Sequence, residues 1–299
     1  MDHKTAGTII PNRTLNNGVE IPTIGFGSAT IIPDELFRVV KDAADEGYRY
    51  FDCAPEYGNQ DKMGAALRSC GVPREELFIA TKLPAPDHGY EKTLRAYDAA
   101  CEDMGLDYMD LYVIHHPLLD YDGFCESWRA MEKIYKEGRV RAIGVSSFYE
   151  VHLERIFRMC EIPPAVDMLE CNPFITAVSR REYCAAKGIQ VVSWFTLGGP
   201  AVPRRKKIQR TDYARVLENE TIISIAQEYD RTPAQIVLRW ALQYDMIPIP
   251  KSNMRERMRE NLQIFDFTLK DEDARRLDAL NYDRRYGIDP MTFDGVYPD

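Results

Sequence analysis

The sequence lacks what a membrane, a nucleic acid or an oxidised secreted scaffold demands. No apolar run approaches the ~20 residues needed to span a bilayer, so no membrane partner is expected. Positive charge is scarce. With 38 Lys and Arg against 47 Asp and Glu the net charge is -9, which opposes nucleic acid as a partner because phosphate binding needs a basic face. Seven cysteines include no C-x-x-C pair, and the odd count suggests reduced thiols in a cytoplasmic protein. Met1 to Gly7 also lacks the charged and apolar regions of a signal peptide. Cys53 and Cys171 fall near candidate loops but read as buried spectators. There is no H-E-x-x-H motif, and no Ser/Gly-rich linker divides the chain, which reads as one domain over 1–299.

What is present is repetition. After a hairpin built on Asn16-Asn17-Gly18, with arms at 9–15 and 19–24, apolar strands alternate with amphipathic helices. The eight strands expected are 21–27, 48–52, 77–83, 109–115, 142–146, 165–170, 189–195 and 246–250. Leu36, Val39, Val40 and Ala43 form one helical face, and Trp128, Met131, Ile134 and Tyr135 another. Thr232-Pro233 reads as an N-cap with proline in the first helical position. This alternation predicts an α/β fold, a closed (β/α)8 barrel of the TIM type carrying an N-terminal hairpin. The competitor is an open doubly wound sheet. Its phosphate turn needs G-x-G-x-x-G, and Gly25-Phe26-Gly27-Ser28-Ala29-Thr30 lacks the third glycine.

In a barrel the chemistry gathers where strands end. Asp52 and Tyr57 follow the second strand, Lys82 ends the third, and His115-His116 end the fourth. Asp, Tyr, Lys and His on three successive strand ends make a constellation that chance seldom assembles. The sequence resembles the aldo-keto reductases along nearly its whole length, from Gly18-Val19-Glu20-Ile21-Pro22 to Ile249-Pro250-Lys251-Ser252 and Glu260-Asn261. The resemblance implies a catalytic tetrad of Asp52, Tyr57, Lys82 and His115, and NADPH-dependent reduction of aldehydes or ketones.

The chemistry of such a tetrad follows from its groups. Hydride arriving at a carbonyl carbon leaves negative charge on oxygen, which a proton or strong hydrogen bonds must meet. A phenol ionises near pH 10, so the Lys82 ammonium is expected to lower Tyr57, with Asp52 holding the ammonium and His115 orienting the carbonyl. The cofactor carries the hydride itself.

The resemblance also implies a cofactor groove. Gly27 and Ser28 are expected to approach the nicotinamide, and Ser146 to hold its carboxamide. Ser147 and Met168 stand where the family has asparagine and glutamine, and Asn172 where it commonly has histidine. Trp194 takes the place of the stacking aromatic, with Leu197 just beyond it. Lys251, Ser252 and Arg257 match the positions that bind the adenosine 2'-phosphate, and Glu260 and Asn261 those near adenine, so NADPH is expected over NADH. The basic run Pro203 to Arg210 is a candidate to close over the pyrophosphate.

The expected partner is a small carbonyl substrate, and the expected state a monomer or weak oligomer. Ala29, His116 and Phe148 are candidate pocket residues, with Pro84 and the tail segment 289–294 beside them. Two rival functions remain open: a cofactor-binding redox sensor of the same fold, and a metal-dependent hydrolase using Asp52, His115 and His116. The second is disfavoured because neighbouring residues on a strand face opposite sides.

Overall fold

The computed structural model describes residues 10–198, 215–283 and 285–295. A short antiparallel hairpin comes first, β1 (Asn12–Thr14) paired with β2 (Glu20–Pro22). The parallel strands follow: β3 (Gly25–Gly27), β4 (Tyr50–Asp52), β5 (Phe78–Leu83) and β6 (Met109–Ile114), then β7 (Val140–Ser146), β8 (Val166–Glu170), β9 (Gln190–Trp194) and β10 (Ile247–Pro248). All eight lie in one sheet, each beside its sequence neighbours, from β3 to β10. The ring closes through the Gly27 N–H, which donates to the Pro250 carbonyl at 3.2 Å. This is the expected (β/α)8 barrel.

Between the strands lie α1 (Leu36–Glu46), α2 (Gln60–Ser69), α3 (Tyr90–Met104), α4 (Tyr121–Lys136) and α5 (Glu150–Phe157). The second half of the barrel carries α6 (Val178–Ala186), α7 (Glu220–Glu228), α8 (Pro233–Gln243), α9 (Arg255–Leu262) and α10 (Asp271–Asp278). The periodic faces behave as read: Leu36, Val39, Val40 and Ala43 on α1 are fully buried. At α8 the Gln235 N–H donates to the Thr232 hydroxyl while the Thr232 N–H donates back to Gln235 Oε1, a reciprocal cap that fixes where the helix begins.

One strand was read too long. The expected strand 21–27 is two pieces, because Thr23 donates both its N–H and its hydroxyl to the Pro11 carbonyl and so belongs to the hairpin. The barrel strand begins only at Gly25. The strand at 189–195 stops at Trp194, since Phe195 turns to φ 52.

Two cores result. One lies between sheet and helices, and the other fills the barrel with Tyr50, Phe78, Ala80, Leu111, Val113, Ala142, Val166, Met168, Val192 and Ile247. Leu15 and Ile21 of the hairpin join this inner core, so the hairpin plugs one end. Because side chains alternate along a strand, the inward series continues towards the other end. There it reaches Asp52, Lys82, Ser146, Glu170 and Trp194, and parity alone gathers these polar groups inside the rim.

Candidate active site

Asp52 and Lys82 are both almost fully buried and form a two-pronged ion pair at 2.7 and 2.8 Å. Lys82 Nζ also donates to the Cys53 carbonyl at 2.8 Å, so the ammonium is held from several sides. It lies 5.1 Å from the centroid of the Tyr57 ring. Tyr57 leaves a single-turn helix, Pro55–Tyr57, which proline opens and Gly58 closes at φ 67. Its ring meets His115 edge-on, 6.1 Å between centroids. The four tetrad candidates therefore stand together at one rim.

Their electrostatics are governed by burial. Burial pushes the Tyr57 phenol up; Lys82 opposes that rise and Asp52 adds to it, and the phenol stands at about 12. The expected lowering by the ammonium is present as a contribution, but desolvation outweighs it. For Lys82, burial disfavours the charge, yet Asp52 and Tyr57 hold the ammonium above its ordinary value. Asp52 itself is raised by burial against the pull of Lys82.

His116 corrects the argument from strand parity. The strand ends at Ile114, so the two histidines are free of alternation, and their rings stack 4.4 Å apart at 11°. Phe293 of the tail meets the His116 ring at 5.4 Å. Burial, reinforced by His115 and Lys82, holds His116 well below the ordinary imidazole range and hence neutral. No group of three or more His, Cys, Asp or Glu side chains among the described residues is arranged to hold a metal.

On the far side of the rim, the Met168 carbonyl accepts from the Ser147 N–H at 2.8 Å, the Trp194 Nε1–H at 3.1 Å and the Ser146 hydroxyl at 3.3 Å. The Oγ atoms of Ser28 and Ser147 are buried without a hydrogen-bond partner among the described residues. Buried hydroxyls are seldom left so, and these two suit a polar ligand group such as a carboxamide. Gly27 has another reason to be glycine: a Cβ there meets the Ile249 carbonyl at 2.9 Å, so it serves barrel closure.

Lys251 and Arg257 are exposed, whereas Ser252 and Asn261 are buried. Arg255 and Arg259 flank Arg257 and are both taken by Glu46, at 2.6 and 2.8 Å. Arg257 forms no ion pair among the described residues, which leaves that guanidinium available to a phosphate. Glu260 accepts from the Thr232 hydroxyl at 2.8 Å and so helps anchor α8.

Some expectations move. Phe148 is 1% exposed and packs on Phe124 and His152, because Ser147 at φ 62 turns the chain and sends the next side chain into the core; the structure does not bring it to the open pocket. Asn172 is a loop fastener, accepting from the Phe174 N–H and donating to the Phe195 carbonyl. Leu197 leans on the outer core, and Ala29 is half-buried near the rim. Cys53 and Cys171 are buried free thiols that burial pushes up to about 12, as spectators should be. The basic run Pro203 to Arg210 lies outside the described residues.

Two carboxylates went unread. Glu170, 2% exposed, accepts the N–H groups of Tyr286 and Gly287 at 2.8 and 2.9 Å and clasps the tail against the rim. A Cβ on Gly287 comes within 2.3 Å of the Trp194 ring, so only glycine permits that approach. The inward parity of β8 was the signal for Glu170. The second, Glu56, places Oε2 3.0 Å from His115 Nδ1; the approach has the distance of an ion pair without the alignment of a hydrogen bond.

Fold and rim together define a (β/α)8 barrel with a buried ion pair, a phenol and an imidazole at the ends of its strands. The chain belongs to the aldo/keto reductase family, whose model matches residues 23–282. It is 41% identical to glyoxal reductase of Bacillus subtilis, the match covering 92% of this chain and 95% of that protein. It is 37% identical to morphine 6-dehydrogenase of Pseudomonas putida, over 95% of this chain and 96% of the other. Among solved structures, an aldo-keto reductase from a Medee basin deep-sea metagenome library superposes with a TM-score of 0.86 at 36% identity, covering 94% of this chain and 99% of that one. No helix among the described residues is long and apolar enough to cross a membrane.

Proposed function

We propose that this protein, as one barrel unit, reduces aldehyde or ketone carbonyls to alcohols with NADPH. The observation that carries the reading is the Lys82–Asp52 pair set beside the Tyr57 ring and within the same cluster as His115. NADPH when bound supplies the hydride to the carbonyl carbon. Tyr57 then gives its phenolic proton to the carbonyl oxygen, so that C=O becomes CH–OH, and the phenolate recovers a proton from solvent. Lys82 steadies that phenolate electrostatically, Asp52 keeps Lys82 charged and in place, and His115 orients the carbonyl oxygen.

Ser146, Ser147 and Ser28 are the groups suited to the carboxamide, and Trp194 offers a stacking face. Met168 brings no amide, which makes Ser147 the natural replacement. Lys251, Ser252 and Arg257 suit the 2'-phosphate, a preference for NADPH over NADH that the exposed Arg257 guanidinium supports.

The name of the Bacillus relative recommends small dicarbonyls as first substrates. A panel of glyoxal, other aldehydes and ketones, followed by nicotinamide absorbance with NADPH and with NADH, tests the reading. Turnover with NADPH is expected to exceed that with NADH at least tenfold. Absence of carbonyl-dependent oxidation across the panel rejects it.

A further inference from the structure

Three separate elements bring two cations onto one aromatic ring. Tyr149 stands just before α5, Arg180 lies in the first turn of α6, and Arg285 precedes the tail residues whose N–H groups Glu170 accepts. The guanidinium carbon of Arg180 is 4.7 Å from the centroid of the Tyr149 ring and that of Arg285 5.3 Å from it. Arg285 also donates to the Tyr149 hydroxyl. All three residues are half-buried. Arginine carries its charge at every pH a protein survives, so two like charges are held together where water screens them only in part. An anion beside them offsets that repulsion. The neighbouring acids serve this purpose poorly. Glu170 already accepts two backbone N–H groups, and burial lifts its carboxyl above the ordinary range against the pull of both arginines. Burial drives Asp167 well above its ordinary range, which leaves it uncharged. Glu150 follows Tyr149 in the chain but forms no ion pair with either arginine among the described residues. The position is also telling. Tyr149 lies beyond β7, the neighbour of the strand that leads to His115, whereas Lys251 and Arg257 follow β10, three strands further round.

We infer that Arg180, Tyr149 and Arg285 form an oxyanion subsite that receives a carboxylate or phosphate carried by the carbonyl substrate. The inference rests on the carbonyl-reductase reading above and specifies its substrate class, aldehydes and ketones with an anionic group remote from the reacting carbon. The guanidinium forks offer paired N–H donors to such a group. The Tyr149 hydroxyl accepts from Arg285 and has its own O–H to add as a further donor.

Acids of different reach, each beside its methyl ester, provide the test: 4-formylbenzoate, 4-formylcinnamate and (4-formylphenoxy)acetate. The acid-to-ester ratio of kcat/KM is measured at saturating NADPH in the parent, Arg180→Gln, Arg285→Gln and Tyr149→Phe. A purely structural loss moves acid and ester alike and leaves the ratio in place. Tyr149→Phe keeps the ring and carries the test should an arginine variant fail to fold. For the acid of best fit, each arginine substitution is expected to lower the ratio about tenfold and Tyr149→Phe about threefold. Raising salt from 20 to 500 mM is expected to lower the parent ratio, and inorganic phosphate to compete with the acids and spare the esters. Ratios within twofold of the parent's for all three acids in every variant overturn the inference, while turnover of the esters leaves the reductase reading standing. Phosphate that binds by calorimetry without such a change in ratio marks a site for a separate anion and overturns the substrate assignment too. A parent that reduces none of the six compounds overturns the reading itself, and calorimetry with benzoate and with phosphate then decides the site. Binding that Arg180→Gln weakens about tenfold upholds the oxyanion site, and equal or absent binding in parent and variant rejects it.

Discussion

At the ends of β4 and β5 the buried polar groups satisfy one another: Asp52 takes two bonds from Lys82, which gives another to the Cys53 carbonyl. At the ends of β7 and β8 the hydroxyl of Ser147 is buried with no bond made among the described residues, and Ser146 gives only a long one to a carbonyl. The first region is complete in the protein alone, while the second has capacity to spare. Under the proposed function, the difference suits a division of labour in which the groups assigned to proton transfer are rigid in advance and the wall assigned to the cofactor is finished by its ligand.

The largest expected effect breaks the finished side. Lys82→Met leaves the Asp52 carboxylate buried without its cation, and such a loss costs about 3 to 5 kcal/mol. Denaturant unfolding should show that drop, and carbonyl reduction should be lost with it. A variant as stable as the parent means that the pair is not closed off from water.

The cofactor side should break more gently. Arg257→Met is expected to weaken NADPH binding about ten- to fiftyfold while leaving NADH within threefold, because only the former carries the extra phosphate. Binding measured by fluorescence titration decides this. If both cofactors weaken equally, Arg257 supports the helix α9 region without reading the phosphate. Ser147→Ala should act less still, raising the NADPH dissociation constant about three- to tenfold for one hydrogen bond lost. No change in affinity marks Ser147 as a packing residue.

The same comparison explains what could be read from the chain beforehand. The strands and α1, α4 and α8 were legible because apolar periodicity and the Thr232-Pro233 cap are local signals. Asp52 and Lys82 were legible because strand alternation alone brings them to one rim, whereas His115 lies beyond the end of its strand and only the family resemblance pointed to it. The split at Thr23 was not, since it depends on a carbonyl twelve residues earlier. Phe148 was misplaced because its direction follows from the left-handed turn at Ser147, a conformation a serine does not announce. The rise of the Tyr57 phenol was hidden because the ammonium is visible in sequence and the burial opposing it is not. Glu170 could have been found by parity, but its partners are backbone N–H groups of a tail that carries no hydrophobic pattern.

The measurement closest to the central claim is the pH profile of carbonyl reduction with saturating NADPH, taken from pH 6 to 11 on the parent and on Tyr57→Phe. With the phenol pushed up to about 12, the donor keeps its proton throughout the neutral range. The parent rate should therefore hold beyond pH 10, and Tyr57→Phe should fall about 10³-fold in kcat with NADPH binding retained. A substituted protein that keeps the parent's rate, or a parent profile that collapses near neutrality through a group absent in Tyr57→Phe, contradicts the account.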